Sequence, residues 1–332
     1  MAITAADVNK LRQMTGSGMM DCKNALVEAE GDFEKAVDIL RKKGQKIAAK
    51  RADRNANEGY VVAKTTADHK FGVIVMVNCE TDFVGKTADF TNYVNALADL
   101  AISKHISSKE ALLQSDYNGQ TVESSLTEMS GKTGEKVELN GFACLEKNFV
   151  SAYNHMGNRL AVIAAFNKNG ENAEVVAHEI AMQIAAMNPI AVDEKGVSQE
   201  IIDRELEVGK EKTIQEQIQK AVDAALSKAG INPAHVDSDD HINSNITKGW
   251  ITEEQAQKAR EIKTTVAEEK AKNIPADMVE KIAKGRLNKF FKENTLMHQE
   301  FIRDSKMTVA EYMKSTDKEL VCEGFCRIQL GA

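Results

Sequence analysis

A chain of 332 residues is long enough for two or three domains and a sizeable core. Its 43 Lys and Arg against 50 Asp and Glu leave a net charge of −7, which excludes a global electrostatic grip on nucleic acid and confines any such contact to a local patch. Aromatic residues are scarce at 5%, and the longest apolar runs, such as Val73 to Val77 and Leu160 to Phe166, are far too short to span a bilayer.

The N-terminus has neither an apolar signal core nor an Arg-rich transit pattern, so a soluble, cytoplasmic chain is expected. Thr4-Ala5-Ala6-Asp7 reads as a capping box, followed by Val8, Leu11 and Met14 at helical spacing and stopped by Gly16. Ser17 is placed to cap a second helix, whose Cys22, Ala25, Leu26 and Ala29 share a face before Gly31. Asp32 opens a third, with Phe33, Val37 and Leu40 on one side and Gly44 as its stop. Three such helices make a compact unit that resembles the ubiquitin-associated type. Met19 and Met20 are adjacent, so only one readily faces that core. The other is either a soft contact for a partner or an ordinary, partly exposed methionine.

Between Arg41 and Arg54 lie seven basic residues and a single acid, Asp53. The segment reads as a solvated helix end and linker, positive charge being favoured at a helix C-terminus. RNA contact is the functional alternative, but no aromatic residues interleave to stack on bases.

Two halves of the chain then resemble each other. Gly59 to Thr65 reads as a strand, and the turn at Asp68-His69-Lys70 leads into a second, apolar strand from Val73 to Asn78, buried on both faces. A helix follows with Phe90, Val94, Leu97 and Ala101 on one side. Later, Phe149 to Tyr153, a turn at Asn154 to Asn158, an apolar strand to Phe166 and a helix marked by Val176, Ile180 and Ile184 repeat the order. The pattern predicts a duplicated β-β-α core in an α+β fold with antiparallel sheets. The first half carries Glu80-Thr81-Asp82-Phe83-Val84 at its strand-to-helix junction, where the second has Asn167-Lys168-Asn169-Gly170. Asp82 is a helix cap on the plain reading, but Phe83 is an aromatic residue beside charge on a connection expected to be exposed. A scaffold that repeats around a junction that does not marks the junction as functional.

From Ser198 to about Phe291 the pattern changes to long, charged helix, with seams at Ile214, Ile218, Val222 and Ala225, and at Val279, Ile282, Leu287 and Phe290. A helix from Ser198 to Lys228 extends about 45 Å at 1.5 Å per residue. This is expected as a projecting antiparallel helical hairpin rather than core, broken at Ala229 to Pro233 and at Ile274-Pro275. A strand near Glu300 to Ile302, a short helix capped by Thr308 with Glu311, and a final strand from Leu320 to Leu330 close the chain. The last strand is expected to pair with the second half of the core. The domains expected are 1–55 (helices and basic linker), 56–140 and 141–196 (the two core halves), 197–292 (hairpin) and 293–332 (closing strands).

No enzyme constellation appears. The seven histidines (His69, His105, His155, His178, His235, His241 and His298) are scattered, and the sequence has neither a Gly-rich phosphate loop nor a nucleophile elbow. The five cysteines read as reduced, mostly buried thiols. Cys322 and Cys326 have no second ligand pair at metal spacing. Cys79, the one thiol-enzyme candidate, sits in an apolar strand, which favours an inert side chain. No cofactor, metal site or catalysis is expected.

Met14-Thr15-Gly16-Ser17-Gly18-Met19-Met20-Asp21-Cys22-Lys23-Asn24-Ala25-Leu26 and Val77-Asn78-Cys79-Glu80-Thr81-Asp82-Phe83-Val84 closely resemble the two signatures of the translation elongation factor Ts family. The resemblance extends over the basic linker, the duplicated core, the hairpin and Gly324-Phe325-Cys326-Arg327-Ile328, and leaves out the region from about 230 to 275. It implies guanine nucleotide exchange on elongation factor Tu. By motif match, Asp82 and Phe83 intrude on that GTPase, with Phe83 as a wedge, and Thr81 to Val84 as a unit disturbs its Mg²⁺. Met19 or Met20 packs on a partner helix, and His155 matches a partner-facing position, although a plain turn histidine fits it equally. Many members continue past the final strand into another helix, whereas this sequence closes at Ala332. The resemblance leaves a homodimer through core or hairpin open, and it implies neither direct nucleic-acid nor membrane binding. Two further readings, an RNA-binding adaptor acting through residues 41–54 and a thiol enzyme using Cys79, rank below it.

Overall fold

In a computed structural model that describes residues 3–170 and 172–331, the chain begins with a capping box. The Thr4 hydroxyl accepts from the Asp7 N–H, and the Asp7 carboxylate accepts from the Thr4 N–H at the head of α1 (Ala5–Thr15). Helix α2 (Met19–Glu28) follows; its N-cap is Gly18 rather than Ser17, with no side-chain cap bond. In α3 (Phe33–Lys50), Asp32 accepts from the N–H groups of Glu34 and Lys35. Val8, Leu11, Cys22, Ala25, Leu26 and Ala36 form the core of these helices.

The third helix does not stop at Gly44 but runs on to Lys50. Gly44 is buried against Gly131, where a Cβ on Gly131 would come within 2.6 Å of the Gly44 Cα. The glycine permits two helix backbones to cross closely, a role that local sequence cannot separate from a stop.

After the basic segment come β1 (Glu58–Thr65), β2 (Phe71–Cys79), the one-turn α4 (Asp82–Gly85), α5 (Ala88–Ser103) and α6 (Lys109–Gln114). A small hairpin, β3 (Asp116–Tyr117) and β4 (Gln120–Thr121), leads into α7 (Val122–Thr133) and β5 (Glu138–Glu146). The sheet order is β1-β2-β5, antiparallel throughout, and all nine residues of β2 are buried. Alternation divides them. Val73, Val75, Val77 and Cys79 enter a core with Phe90, Val94, Leu97 and Leu126 of α5 and α7, while Ile74 and Met76 face the other way.

The second half repeats the arrangement with β6 (Phe149–Asn154), β7 (Leu160–Phe166) and α8 (Ala173–Met187). Residues Asp193–Gln299 form a separate compact unit of α9 (Gln199–Lys228), α10 (Asp239–Thr247), α11 (Glu253–Lys272) and α12 (Ala276–Asn294). This unit has a core of its own. Val222 and Leu226 of α9 are covered by Ile231, Val236, Ile242, Ile251, Ala256 and Ala259. The polar stretch after Asn232 therefore supplies the few apolar residues that bury the α9 seam.

The chain returns through β8 (Glu300–Phe301), β9 (Asp304–Thr308), α13 (Val309–Thr316) and β10 (Cys322–Gln329). Strand β10 pairs antiparallel with β7, giving the order β10-β7-β6. Ile74 and Met76 of the first sheet share a core with Val150, Ala161, Ile163 and Ala165 of the second. The sheets thus stack face to face, with α5 and α7 outside one and α8 against the other. The fold is α+β with two related three-stranded antiparallel sheets. Among the described residues no helix is long and apolar enough to cross a membrane.

Candidate functional site

Strand β2 ends at Cys79, and the backbone turns at Glu80 and Thr81 into α4. Thr81, not Asp82, is the N-cap: its backbone is extended at φ −123° and its hydroxyl oxygen accepts from the Val84 N–H at 3.4 Å. Asp82 stands one position inside the helix and pairs with Lys86 at 2.6 Å across one turn. That ammonium holds the Asp82 carboxyl below its usual range.

Two dipeptides distant in sequence lock this junction. The Glu135 carboxylate accepts from the Glu80 N–H at 3.1 Å, the Thr81 N–H at 3.0 Å and the Thr81 hydroxyl at 2.6 Å. In return, the Glu80 carboxylate accepts from the Lys136 N–H at 2.7 Å and pairs with Arg51 at 2.8 Å. The Glu80 side chain is only 14% exposed. Burial pushes its pKa up, but the Lys136 N–H and the Arg51 guanidinium outweigh burial and leave it below the ordinary value. Arg51 follows the last residue of α3, so the basic segment is tied here to the junction.

The far end of α4 is fixed by close approach. A Cβ on Gly85 would lie 3.0 Å from the Gly59 carbonyl oxygen. Gly59 itself has φ +144°, and a Cβ there would be 2.2 Å from the Val77 carbonyl oxygen. Val84 packs against the core below. With its neighbours held on three sides, Phe83 is left pointing out, 83% exposed. An aromatic ring so exposed on an anchored turn gains nothing from burial in this chain.

The turn that carries His155 is tied to β1. His155 is exposed at the end of β6, with its Nδ1 3.0 Å from the Tyr153 hydroxyl. The ties run from Asn154 to both backbone groups of Ala63 and from the Asn158 amide to the Val61 carbonyl, with an Arg159–Glu58 ion pair beside them. The Glu58 carboxylate chiefly, and Asp82 in addition, raise the Arg159 pKa. Glu58 and Gly59 therefore form a common floor under α4 and the His155 turn.

Met19 and Met20 stand on α2. Neither enters the core: they are 49% and 63% exposed, and Met14 and Val27 add to the exposed apolar surface of these helices. In the basic segment, Arg41 is within 3.9 Å of Asp38, Lys43 pairs with Asp21 and Arg51 with Glu80. Cys79 is fully buried and its thiol donates to the Thr81 carbonyl oxygen at 3.1 Å. Burial first, and Glu135 and Glu58 next, push its pKa up to about 12, so it holds no thiolate at neutral pH. Among the described residues no group of three or more His, Cys, Asp or Glu is placed to hold a metal ion.

Sequence reasoning misses Glu135, Arg51, Gly59 and Gly85 as parts of this site. The two glycines are visible as residues but not as a contact. Glu135 follows the αL cap Gly134 at the end of α7, and nothing local aims it at Thr81.

Comparison with known proteins bears on the whole chain. A family model described as Elongation factor TS matches residues 80–229 and 214–332. Elongation factor Ts of Bacteroides fragilis (strain YCH46) is 53% identical over 333 residues, covering 100% of both chains. The elongation factor Ts of Christiangramia forsetii is 43% identical over 329 residues, 99% of each, and that of Amoebophilus asiaticus is 39% identical over 333 residues, 100% of each. The chain belongs to the elongation factor Ts family, and so to the translation elongation factors of protein biosynthesis.

Proposed function

We propose that this chain is a cytoplasmic guanine nucleotide exchange factor for elongation factor Tu and catalyses no chemical reaction itself. The observation that carries the reading is Phe83, an exposed ring on a turn held at Thr81, Val84 and Gly85. Thr81, Asp82, Phe83 and Val84 enter the nucleotide-binding domain of the GTPase near its Mg²⁺, while Met19 and Met20 on the N-terminal helices and His155 in the second half hold the complex.

The energetics follow from how a GTPase grips GDP. Backbone N–H groups of the phosphate loop and the Mg²⁺ ion supply most of that grip, so displacing the metal loosens the nucleotide. A factor that weakens GDP must itself bind more weakly when GDP is present, by the same factor. Factor and nucleotide therefore alternate on the GTPase, and GTP refills the emptied site.

Stopped-flow release of a fluorescent GDP analogue from purified elongation factor Tu tests the reading. The chain should accelerate release, and Phe83→Ala should slow it at saturating factor while leaving the thermal melt unchanged, because an exposed ring contributes little to packing. Release at the wild-type rate by Phe83→Ala, or no acceleration by the parent chain, rejects it. Salt-sensitive RNA binding abolished by replacing Lys46, Lys50 and Arg51 with Gln would instead favour the adaptor reading.

A further inference from the structure

We infer that Glu135 is a positioning residue for the Phe83 turn, acting through Thr81 without touching the partner. The inference rests on the exchange reading above. Three donors from Glu80 and Thr81 converge on this one carboxylate, while Glu80 reaches back to Lys136 and Arg51. The two dipeptides thus hold each other reciprocally across 54 residues of sequence.

The direction of one bond gives the device its purpose. A threonine hydroxyl has a single proton. Donating it to Glu135 turns the oxygen's lone pairs toward the Val84 N–H, which is the cap that starts α4. Without Glu135 that rotor is free and the cap has no fixed orientation. A helix of one turn has no stability of its own, since nucleation costs more than one turn returns. The geometry of Phe83 therefore depends on bonds made from outside the helix. Charge-assisted bonds are the stronger kind, and a turn already ordered loses no binding free energy to ordering at the partner.

Glu135 is half-buried, and its carboxylate bonds to Glu80 and Thr81. Its removal deletes no apolar contact of Phe90, Val94 and Leu97 and should leave their packing in place. That separates a positioning role from a structural one.

The test compares Glu135→Ala, Glu135→Gln, Phe83→Ala and the double variant Glu135→Ala/Phe83→Ala in GDP release from elongation factor Tu. Glu135→Ala should lower the release rate at saturating factor roughly five- to tenfold, the scale of losing a charge-assisted bond network. The factor concentration giving half the maximal rate should stay within about twofold, because the N-terminal helices and the His155 side are untouched. The double variant should release no more slowly than Phe83→Ala alone, since Glu135 has nothing left to position. If Glu135→Ala does not fold, Glu135→Gln carries the test: it keeps the shape and one acceptor oxygen, and should slow release about threefold.

Full-rate release by both Glu135 variants while Phe83→Ala is slow overturns the inference and leaves the exchange reading standing. A double variant slowed by the product of the two single effects overturns it in the same way. If Phe83→Ala itself releases at the wild-type rate, the exchange reading falls and this inference with it.

Discussion

Asn154 and Ala63 exchange two hydrogen bonds between the sheets: the Asn154 carboxamide oxygen accepts from the Ala63 N–H at 2.7 Å, and its Nδ2 donates to the Ala63 carbonyl oxygen at 3.0 Å. Strand β1 is an edge strand, so the carboxamide stands in for the strand the edge lacks. Asn154→Leu should lower stability by about 2–3 kcal/mol, because two backbone groups lose partners and the leucine offers none. Denaturant unfolding measures this, and a loss below about half a kilocalorie per mole would mean water replaces the amide at no cost.

Thr81 and Asp82 share the junction but not its stabilisation. Thr81→Val removes the α4 cap and one bond to Glu135, and should lower stability by about 1–2 kcal/mol. Asp82→Ala removes only an exposed pair with Lys86, and its thermal melt should coincide with the parent's. A lower melt for Asp82→Ala than for Thr81→Val would reverse the assignment of the cap.

The difference between those neighbours shows what the sequence carries and what it does not. Periodicity and punctuation locate α1, α2, β2, β7, α5 and α8, and they assign the strand at residues 322–329 to the second sheet, where it lies, because each is written in its own residues. The motif places Phe83 at a junction. Long-range pairs are not legible. Gly44 reads as a stop until Gly131 is brought beside it, and Glu135 reads as a surface acid until Thr81 is. Strand β5 has no signature of its own because Glu138, Asn140, Gly141 and Glu146 break its apolar alternation, and it is a strand by virtue of pairing with β2 at an edge.

Glu80 makes stability depend on acid. Its pKa in the folded chain lies below the ordinary 4.5, so the folded state binds its proton less readily than the unfolded one. The stabilisation is complete above the ordinary value and is lost as pH falls through the folded value. Glu80→Gln should therefore be less stable than the parent at neutral pH, with the gap narrowing below 4.5. Denaturant midpoints across that range check this, and a gap that widens in acid contradicts the sign.

Leu226 is 1% exposed in the core of the Asp193–Gln299 unit. Leu226→Ala should cost that unit about 2–4 kcal/mol and leave the sheet-containing unit's transition in place, splitting the melt into two. Calorimetry distinguishes this from a single lowered transition, which would mean the two units unfold as one.

The pairing of β10 with β7 joins two segments that are far apart in the order of synthesis. Strand β7 is complete by Phe166, whereas its neighbour begins only at Cys322, after the whole of Asp193–Gln299 has been made. During that interval one edge of an all-apolar strand stands open to any other nascent chain. Closure of the second sheet on that side therefore waits until residues 167–321 have been made.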